Sequence, residues 1–415
     1  MHVVFMSSLL PVAQPASGFD IANRVILDAL RDQDIRVSML GYASPGIELA
    51  EADGRVVLGE QEITNARASS QAKIRWLARA LAHRTTFSSA KMLACGERAF
   101  VQGLSDLSPF DGLVLNSVQL PGAFLQTVSS YPSVYVAHNV EAKSALENAR
   151  NSDGPLERLL FAREARLLQR LEGALCGRSA FVWTLSEEDR KALTGADDSR
   201  SATLPLVTRF GAPAQLPGQR KIEFDVGLIG SWSWRPNRIG LEWFLDRVAP
   251  GLPPTWRIAV AGNLDGPAPR NEHPGITFVG RVRDAATFLR SCAVIPLAST
   301  AGTGVQLKAI EVFEAGLPSV ATSQAVRGIA QVPENCTIAN ESADFASALI
   351  SKVEMVRQGT ETSLDGRLFH KNQKQSLAAA IERGVNAISR NTARKGHGTY
   401  DYAHIGTKDN QISTL

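Results

Sequence analysis

Strand-like and helix-like segments alternate along most of this chain, and the alternation limits its fold more than any other feature. An apolar strand-like run at 2–7 is followed by apolar residues at helical spacing in 19–31 and by a second strand-like run at 36–40. Because strands separated by helices form βαβ units, the pattern predicts mainly parallel sheets. Further strand-like runs lie at 112–116, 133–138 and 181–185.

The same alternation starts again after one interruption. Residues 207–221 change to a composition of Gly, Pro, Ala and Gln that is typical of a linker, and strands and helices alternate again over 225–322. We therefore predict an α/β protein of two doubly wound, Rossmann-like domains that face each other across a cleft. The predicted parts are an N-terminal, acceptor-side domain 1–210, a linker 211–222, a C-terminal domain 223–390 and a flexible tail 391–415.

The composition is that of a globular protein rather than a nucleic-acid-binding one. The 415 residues are 44% hydrophobic and 20% charged, with a formal net charge of +3. No apolar run approaches the ~20 residues that span a bilayer. The four cysteines show neither metal-ligand spacing nor pairing, which favours a reducing compartment. We expect a cytoplasmic protein. A more specific alternative is a cytoplasmic protein bound to the inner face of the membrane.

One stretch of the chain departs from the even distribution of basic and acidic residues. Residues 64–92 contain six Lys and Arg and no acidic residue, with Ile74, Trp76 and Leu77 among the cations. A basic amphipathic helix can lie on an anionic membrane, so this stretch is a candidate for peripheral membrane contact. The alternative is a solvated surface helix of the first domain.

The second half contains a glycine-flanked loop beyond a buried strand. The strand at 293–297 is followed by Gly302, Gly304 and a predicted helix over 304–315. Ligands of such sheets bind beyond the carboxyl ends of the strands, and glycines let backbone amides approach an anion at a helix N-terminus. Lys308 and Glu311 then lie on one helical face, where they suit a diphosphate and a ribose. A plain loop with a solvated Lys–Glu pair is the alternative.

Several motifs surround this loop in a fixed order across 225–329. They include VGLIGS at 226–231, WRPN at 234–237, GLEWF at 240–244, ITFVGRVRD at 276–284 and AVRGI at 325–329. As an ordered set they resemble family 4 of the retaining GT-B glycosyltransferases, the "glycosyl transferases group 1" type. The resemblance implies that the C-terminal domain binds a nucleotide-sugar donor.

Carried onto this chain, the resemblance gives each residue of the loop a role. Gly302 and Gly304 would contact the diphosphate, Lys308 would neutralise it, and Glu311 would hold the ribose. The family's Glu-x7-Glu pattern ends at Glu311, and its first position holds Thr303 here. Since the first glutamate usually faces the transferred sugar, the contact at Thr303 is the open point of the donor site.

Three further candidates lie outside the loop. Arg235 suits the leaving phosphate because a guanidinium makes bidentate contacts, although a surface arginine is the alternative. Gly18 falls where the family has a glycine-rich loop after the first strand, and a plain loop glycine is its alternative. His138 ends a predicted strand beside Asn139 and Glu141, and the resemblance implies that it contacts the donor sugar. A lone histidine is otherwise more often structural.

We therefore predict a retaining glycosyltransferase that moves a sugar from a nucleotide-diphosphate sugar to a hydroxyl acceptor in polysaccharide or glycoconjugate biosynthesis. The acceptor would be a saccharide, a lipid-linked sugar or a protein. Neither a cofactor nor a metal ion nor nucleic acid is expected. A sugar-nucleotide epimerase is one alternative. A non-catalytic sugar-nucleotide-binding partner is the other, and Thr303 keeps it open.

Overall fold

The structure is a computed structural model that describes residues 1–15, 17–60, 62, 68–152, 154–208, 220–264, 266–302, 304–360 and 363–394. Most of the predicted linker 211–222 and most of the predicted tail 391–415 lie outside these residues. The described chain forms two parallel sheets with helices packed on them, one sheet in each half.

The first half contains the larger sheet. Its described strands are β1 (His2–Leu9), β2 (Arg36–Ala43), β3 (Gly54–Glu60), β4 (Gly112–Asn116), β5 (Ser133–Ala137), β6 (Phe181–Thr184) and β7 (Ser201–Thr203). They pair in parallel in the order β3-β2-β1-β4-β5-β6-β7. The central strands β1, β4 and β5 are buried almost throughout, as expected where helices cover both faces of a parallel sheet.

The second half repeats the arrangement. Its described strands are β8 (Phe224–Ile229), β9 (Ile258–Ala261), β10 (Ile276–Gly280), β11 (Cys292–Leu297), β12 (Ser319–Ala321) and β13 (Cys336–Ile338). They lie in the order β10-β9-β8-β11-β12-β13, all parallel. The predicted α/β class with two doubly wound sheets is thereby confirmed.

Helices connect the strands in both halves. The first half has α1 (Gly18–Arg31), α2 (Ser70–Ala82), α3 (Phe87–Met92), α4 (Gly96–Asp106), α5 (Gln119–Ala123), α6 (Leu125–Val128), α7 (Glu141–Arg150), α8 (Pro155–Arg178) and α9 (Glu187–Thr194). The second has α10 (Arg235–Trp243), α11 (Ala285–Arg290), α12 (Leu307–Glu314), α13 (Ser342–Gln358) and α14 (Gly366–Arg394). A capping box between Ser17 and Asp20 starts α1 directly after the loop that follows β1.

The helix predicted over 304–315 begins later than expected. Gly302 and Gly304 have φ angles of +99° and +81°, a left-handed conformation that no α-helix contains. The helix α12 therefore starts at Leu307, with Gln306 as its N-cap. Lys308 consequently lies in the first turn of α12, where an ammonium is close to the loop.

The last helix returns to the first sheet. The indole Nε1 of Trp183, in β6, donates to the Ala380 carbonyl of α14 at 2.9 Å. The Arg383 guanidinium, also in α14, donates to the Ser199 and Ser201 carbonyls at 3.0 Å each. Helix α14, most of which falls in the predicted domain 223–390, thus packs on the sheet of the first half. The domain boundaries stay a prediction.

A buried carboxylate joins three parts of the chain. Glu314, the last residue of α12, is 0% exposed. It accepts hydrogen bonds from the amide and the hydroxyl of Thr208, which ends the described part of the first half. It also lies 2.7 Å from Nδ1 of His370 in α14. The end of α12 is therefore tied to both chain segments that run between the two sheets.

A buried ion pair adds a second tie between the halves. Arg327 Nη2 lies 2.5 Å from Asp189 Oδ1 in α9, and the two side chains are 9% and 2% exposed. The Ser186 hydroxyl donates to the other carboxylate oxygen of Asp189 at 2.7 Å. Removal of one member of such a pair leaves an uncompensated charge away from water.

We expect Arg327→Met to lower the free energy of unfolding by about 3–5 kcal/mol, because Asp189 would keep a buried charge without its partner. Urea unfolding monitored by circular dichroism measures the change. Arg238→Met is the matched control, since Arg238 pairs with Glu242 at the surface, where the side chains are 28% and 45% exposed, and should cost below about 1 kcal/mol. Equal losses in the two variants would contradict a structural role for the buried pair.

Candidate functional site

The carboxyl ends of the two sheets meet at the predicted loop. A β-carbon built on Gly304 would lie 3.8 Å from the carbonyl oxygen of His138, which follows β5. One built on Gly18, at the start of α1, would lie 3.4 Å from Leu307 Cδ1 at the start of α12. Residues after β1 and β5 of the first half therefore lie against the loop after β11 of the second half.

The conformation of this loop requires its glycines. A β-carbon on Gly302 would lie 3.0 Å from Pro236 Cβ, and the positive φ adds strain for any other residue. The amide Nε2 of Gln324 donates to the Gly302 carbonyl at 2.7 Å and holds the loop from the other side. Arg235 is exposed at the first position of α10, next to Pro236. Thr303 lies outside the described residues.

Lys308 is a half-buried cation beside this loop. Its Nζ lies 5.3 Å from the ring centroid of Trp232, whose indole Nε1 donates to the Ala261 carbonyl at 2.8 Å. Burial lowers the pKa of Lys308 to about 8. Within the described part of the chain, no carboxylate forms an ion pair with it. A bound anion would restore the stability of the charged ammonium.

His138 is held by a chain of amide groups. Its Nε2 lies 2.8 Å from Asn116 Oδ1, while Asn116 Nδ2 donates to Ser7 Oγ at 3.0 Å and to Asn23 Oδ1 at 2.9 Å. Because the Asn116 oxygen accepts, His138 carries its proton on Nε2. Burial lowers the pKa of His138 to about 4, so the ring is neutral near pH 7. The Phe19 ring packs on it with centroids 4.9 Å apart.

The two glutamates of α12 occupy different environments. Glu311 is half-buried and lies one turn after Lys308 on the same helix. Glu314 is fully buried at the end of the helix and is bonded to Thr208 and His370. Only Glu311 is thus placed to meet a ligand, which is the assignment made from the sequence. The roles of the predicted site residues stay predictions, although the structure brings most of them to one region: Gly18, His138, Arg235, Gly302, Gly304, Lys308 and Glu311.

Some residues of this region were missed by sequence reasoning. Asn116, which orients His138, is the last residue of the buried apolar strand β4. A polar residue at the end of such a strand is visible in the sequence and could have indicated this contact. Gln324 and Trp232 contact the loop and Lys308 through tertiary packing. No pattern in the sequence indicates those two contacts.

The basic stretch 64–92 contains α2 and α3, and its residues 64–67 lie outside the described residues. On α2, Ile74 and Leu81 are 67% and 53% exposed. Trp76 is buried, and Lys91 Nζ lies 4.8 Å from its ring centroid. The stretch is therefore amphipathic in the structure, with two apolar side chains on its outer face.

Two searches of the described residues bear on metals and membranes. They contain no group of three or more His, Cys, Asp or Glu side chains arranged to hold a metal ion. None of the helices in the described ranges combines the length and apolar composition needed to cross a bilayer.

Comparison with solved structures identifies the architecture. Sucrose-phosphate synthase from Thermosynechococcus elongatus is similar with a TM-score of 0.59 at 14% identity, over 95% of this chain and 99% of that one. WaaG, a glycosyltransferase involved in lipopolysaccharide biosynthesis, gives 0.59 at 15% identity over 93% and 99%. HepE from Anabaena, solved in complex with UDP, gives 0.53 at 14% identity over 95% and 99%. At these identities the likeness shows a shared fold, which is GT-B.

The class of enzyme follows from the second half of the chain. Residues 223–355 match the family model described as Glycosyl transferases group 1. The protein is a GT-B glycosyltransferase. The matched residues of this GT-B glycosyltransferase contain the glycine loop and all of α12. No curated protein matches the chain.

We expect the affinity of the glycosyltransferase for nucleoside diphosphates to fall above pH about 8. Burial holds the pKa of Lys308 near that value, so the ammonium is charged below it and neutral above it. The dissociation constant should rise by up to about tenfold per pH unit, since one proton is linked to binding. Isothermal titration calorimetry between pH 7 and 9.5 measures this. A Lys308→Met variant should bind weakly with little pH dependence, and an unchanged profile in that variant would contradict the assignment.

Proposed function

We propose that the enzyme is a retaining glycosyltransferase that moves a sugar from a nucleotide-diphosphate sugar to a hydroxyl acceptor in polysaccharide or glycoconjugate assembly. The observation that carries the proposal is the position of Lys308. A half-buried ammonium lies beside a glycine loop where the two sheets meet, without a carboxylate to pair with it in the described chain. A ligand with a diphosphate group fits such a site.

The diphosphate binds at the loop in this proposal. The left-handed glycines let their backbone approach the phosphate oxygens, and Lys308 supplies a full positive charge from the first turn of α12. Arg235 is exposed beside the loop and contributes a second cation. Glu311, one turn after Lys308, accepts hydrogen bonds from the ribose hydroxyls.

Transfer then needs little acid–base chemistry from the protein. The bond between the anomeric carbon and the diphosphate oxygen breaks, and its electron pair stays on the diphosphate. Lys308, the loop and Arg235 stabilise this charge, which is the kind of preorganised electrostatics that contributes several kcal/mol to catalysis. The acceptor oxygen bonds to the anomeric carbon on the face that the diphosphate leaves, and its proton passes to the diphosphate. The configuration is therefore retained.

The neighbours with bound ligands support the choice of donor. HepE from Anabaena was solved with UDP, with UDP and glucose, and with UDP-glucose, at TM-scores of 0.53, 0.53 and 0.51. The same fold in that protein thus binds a nucleotide sugar. The resemblance of the loop and α12 motifs to retaining members of the fold supports retention.

A screen of nucleotide sugars tests the function. We expect one donor to release free nucleoside diphosphate slowly without an acceptor, because water competes poorly in the closed site. Lys308→Ala and Glu311→Ala should each lower this release at least about 100-fold, since each removes a charged contact to the donor. Coupled assay of nucleoside diphosphate measures the rate. Lys191→Ala and Glu188→Ala, on the exposed face of α9, are the controls.

The same screen separates the alternatives. Interconversion of the sugar on an intact nucleotide would indicate an epimerase. Binding of a donor with neither release nor interconversion would indicate a non-catalytic partner. Full activity in both the Lys308→Ala and Glu311→Ala variants would show that the donor site lies elsewhere.

We also propose that the enzyme is cytoplasmic and contacts the inner face of a membrane through α2. The exposed Ile74 and Leu81 share that helix with Lys73, Arg75 and Arg79, and no acidic residue lies between them. Apolar side chains among cations suit the boundary between headgroups and acyl chains of anionic lipid. A lipid-linked acceptor would be presented at that surface.

Vesicle co-sedimentation tests this contact. We expect binding to vesicles with anionic phosphatidylglycerol and much less to pure phosphatidylcholine, because about 1 kcal/mol of attraction comes from each basic residue near the surface. The double variant Ile74→Gln/Leu81→Gln should lower binding about tenfold or more, since it removes the apolar contact. Leu368→Gln on α14, where Leu368 is 64% exposed, is the control. Equal binding of all the proteins would rule out a contact through α2.

A further inference from the structure

A cavity of about 720 Å³ lies in the first half, enclosed by α2, α3, α7 and α8. Its volume falls in the range of about 300–1,000 Å³ that is usual for small-molecule sites. The donor site described above does not include it. Apolar side chains from all four of these helices form much of its wall: Ile74, Leu77, Phe87, Ala145, Leu160 and Phe161.

Two polar groups in the cavity wall have no hydrogen-bond donor among the described residues. Gln119 Oε1 is buried and accepts no hydrogen bond, and the described residues offer no hydrogen-bond donor to the Glu141 carboxyl. Burial, with the carboxylates of Glu172 and Glu164, raises the pKa of Glu141 to about 7. A buried acceptor without a donor is costly, so a ligand hydroxyl would satisfy Gln119. The half-buried carboxyl of Glu141 can accept a hydrogen bond from a second hydroxyl.

The other two carboxylates of this region have structural roles. Glu172 accepts from the amides of Glu141 and Ala142 at 2.7 and 3.2 Å, at the start of α7. Glu164 accepts from the amide of Phe87 at 2.8 Å, at the start of α3. Both therefore stabilise helix N-termini. Glu141 lies in the first turn of α7 and lines the cavity.

Gln119 and Glu141 are close along the chain to residues of the candidate donor site. Gln119 and Glu141 follow Asn116 and His138 by three residues each, and those two residues are hydrogen-bonded to one another at 2.8 Å. Three residues span at most about 11 Å of chain. A hydroxyl held by Gln119 and Glu141 is thus near the sugar of a donor that contacts His138.

Exposed apolar side chains lie in and beside the cavity wall on α2 and α8. Ile74, which lines the cavity, is 67% exposed. Leu156 and Leu159 are 69% and 61% exposed at the start of α8, beside the lining residue Leu160. The cavity wall therefore combines groups that can bind hydroxyls with apolar side chains, some of which reach the surface.

We propose that this cavity is the acceptor site and that the acceptor is an amphiphilic alcohol, with hydroxyl groups at Gln119 and Glu141 and an apolar chain or ring against α2 and α8. The inference rests on the proposed function, since an acceptor presupposes transfer. The acceptor oxygen forms the bond to the anomeric carbon, the diphosphate leaves with the electron pair and receives the hydroxyl proton. Glu141 holds the hydroxyl by accepting a hydrogen bond from it.

A series of alkyl glucosides tests the apolar part. Methyl, butyl and hexyl β-glucoside share one headgroup, and isothermal titration calorimetry below their micelle concentrations gives each dissociation constant. We expect affinity to rise by up to about fourfold per methylene in the wild-type enzyme, the value for burial of one CH₂. Leu77→Gln should flatten this rise. Leu146→Gln, on α7 outside the cavity and 42% exposed, is the matched control and should keep it.

A second pair of variants tests the polar groups. Glu141→Gln should weaken every glucoside by about tenfold, regardless of chain length, because a charge-assisted hydrogen bond to the hydroxyl is lost. Glu147→Gln lies on the same helix outside the cavity and should leave affinity unchanged. The thermal unfolding of each variant, followed by circular dichroism, shows whether it is folded.

The outcomes separate this inference from the proposed function. Affinity that does not depend on chain length overturns the cavity assignment, even if a nucleotide sugar is bound and hydrolysed. Equal losses in Leu77→Gln and Leu146→Gln overturn it as well. Chain-length dependence with glycosylated hexyl glucoside detected by mass spectrometry supports it. Glucoside binding without any product from a donor that the enzyme hydrolyses overturns the acceptor role. Absence of donor binding refutes the proposed function instead.

Discussion

The arrangement of the two sheets depends on one buried carboxylate. Glu314 ends α12, the helix of the candidate site, and is fully buried. It is hydrogen-bonded to Thr208, where the described part of the first half ends, and to His370 in α14, which returns to the first half. A fully buried charge is stable only where hydrogen bonds replace water around it, so all three segments must meet at this point. The position of α12, and with it of Lys308, is set by that requirement.

The candidate donor site has two features that are locally unfavourable. Lys308 is partly desolvated without an acidic partner in the described chain, and the glycines before it adopt a conformation that other residues avoid. Neither feature stabilises the empty protein. Both become favourable when an anion is present, which is how a binding site differs from a structural contact. The strong ties at Glu314 and at Arg327–Asp189 offset this local cost.

The sequence predicted the architecture well because parallel strands that are buried on both faces leave long apolar runs. It missed β3, whose residues alternate between exposed and half-buried, and the three-residue strands β7 and β13, which are too short to show a pattern. The start of α12 was wrong because the glycines were taken as a helix N-terminus rather than as left-handed residues. Motif spacing predicted Lys308 and Glu311, whereas the cavity beside Gln119 and Glu141 depends on how four helices pack.

The amide chain behind His138 has a consequence for how a ligand must approach. Asn116 gives both of its hydrogens away and so fixes the histidine proton on Nε2, and the low pKa of the ring keeps a second proton off. The remaining nitrogen, Nδ1, therefore carries a lone pair. A sugar hydroxyl can supply a hydrogen to it, while a fully ionised phosphate oxygen cannot. In the proposed function, this lone pair favours a donor orientation in which the sugar, and not the diphosphate, faces the first half of the enzyme.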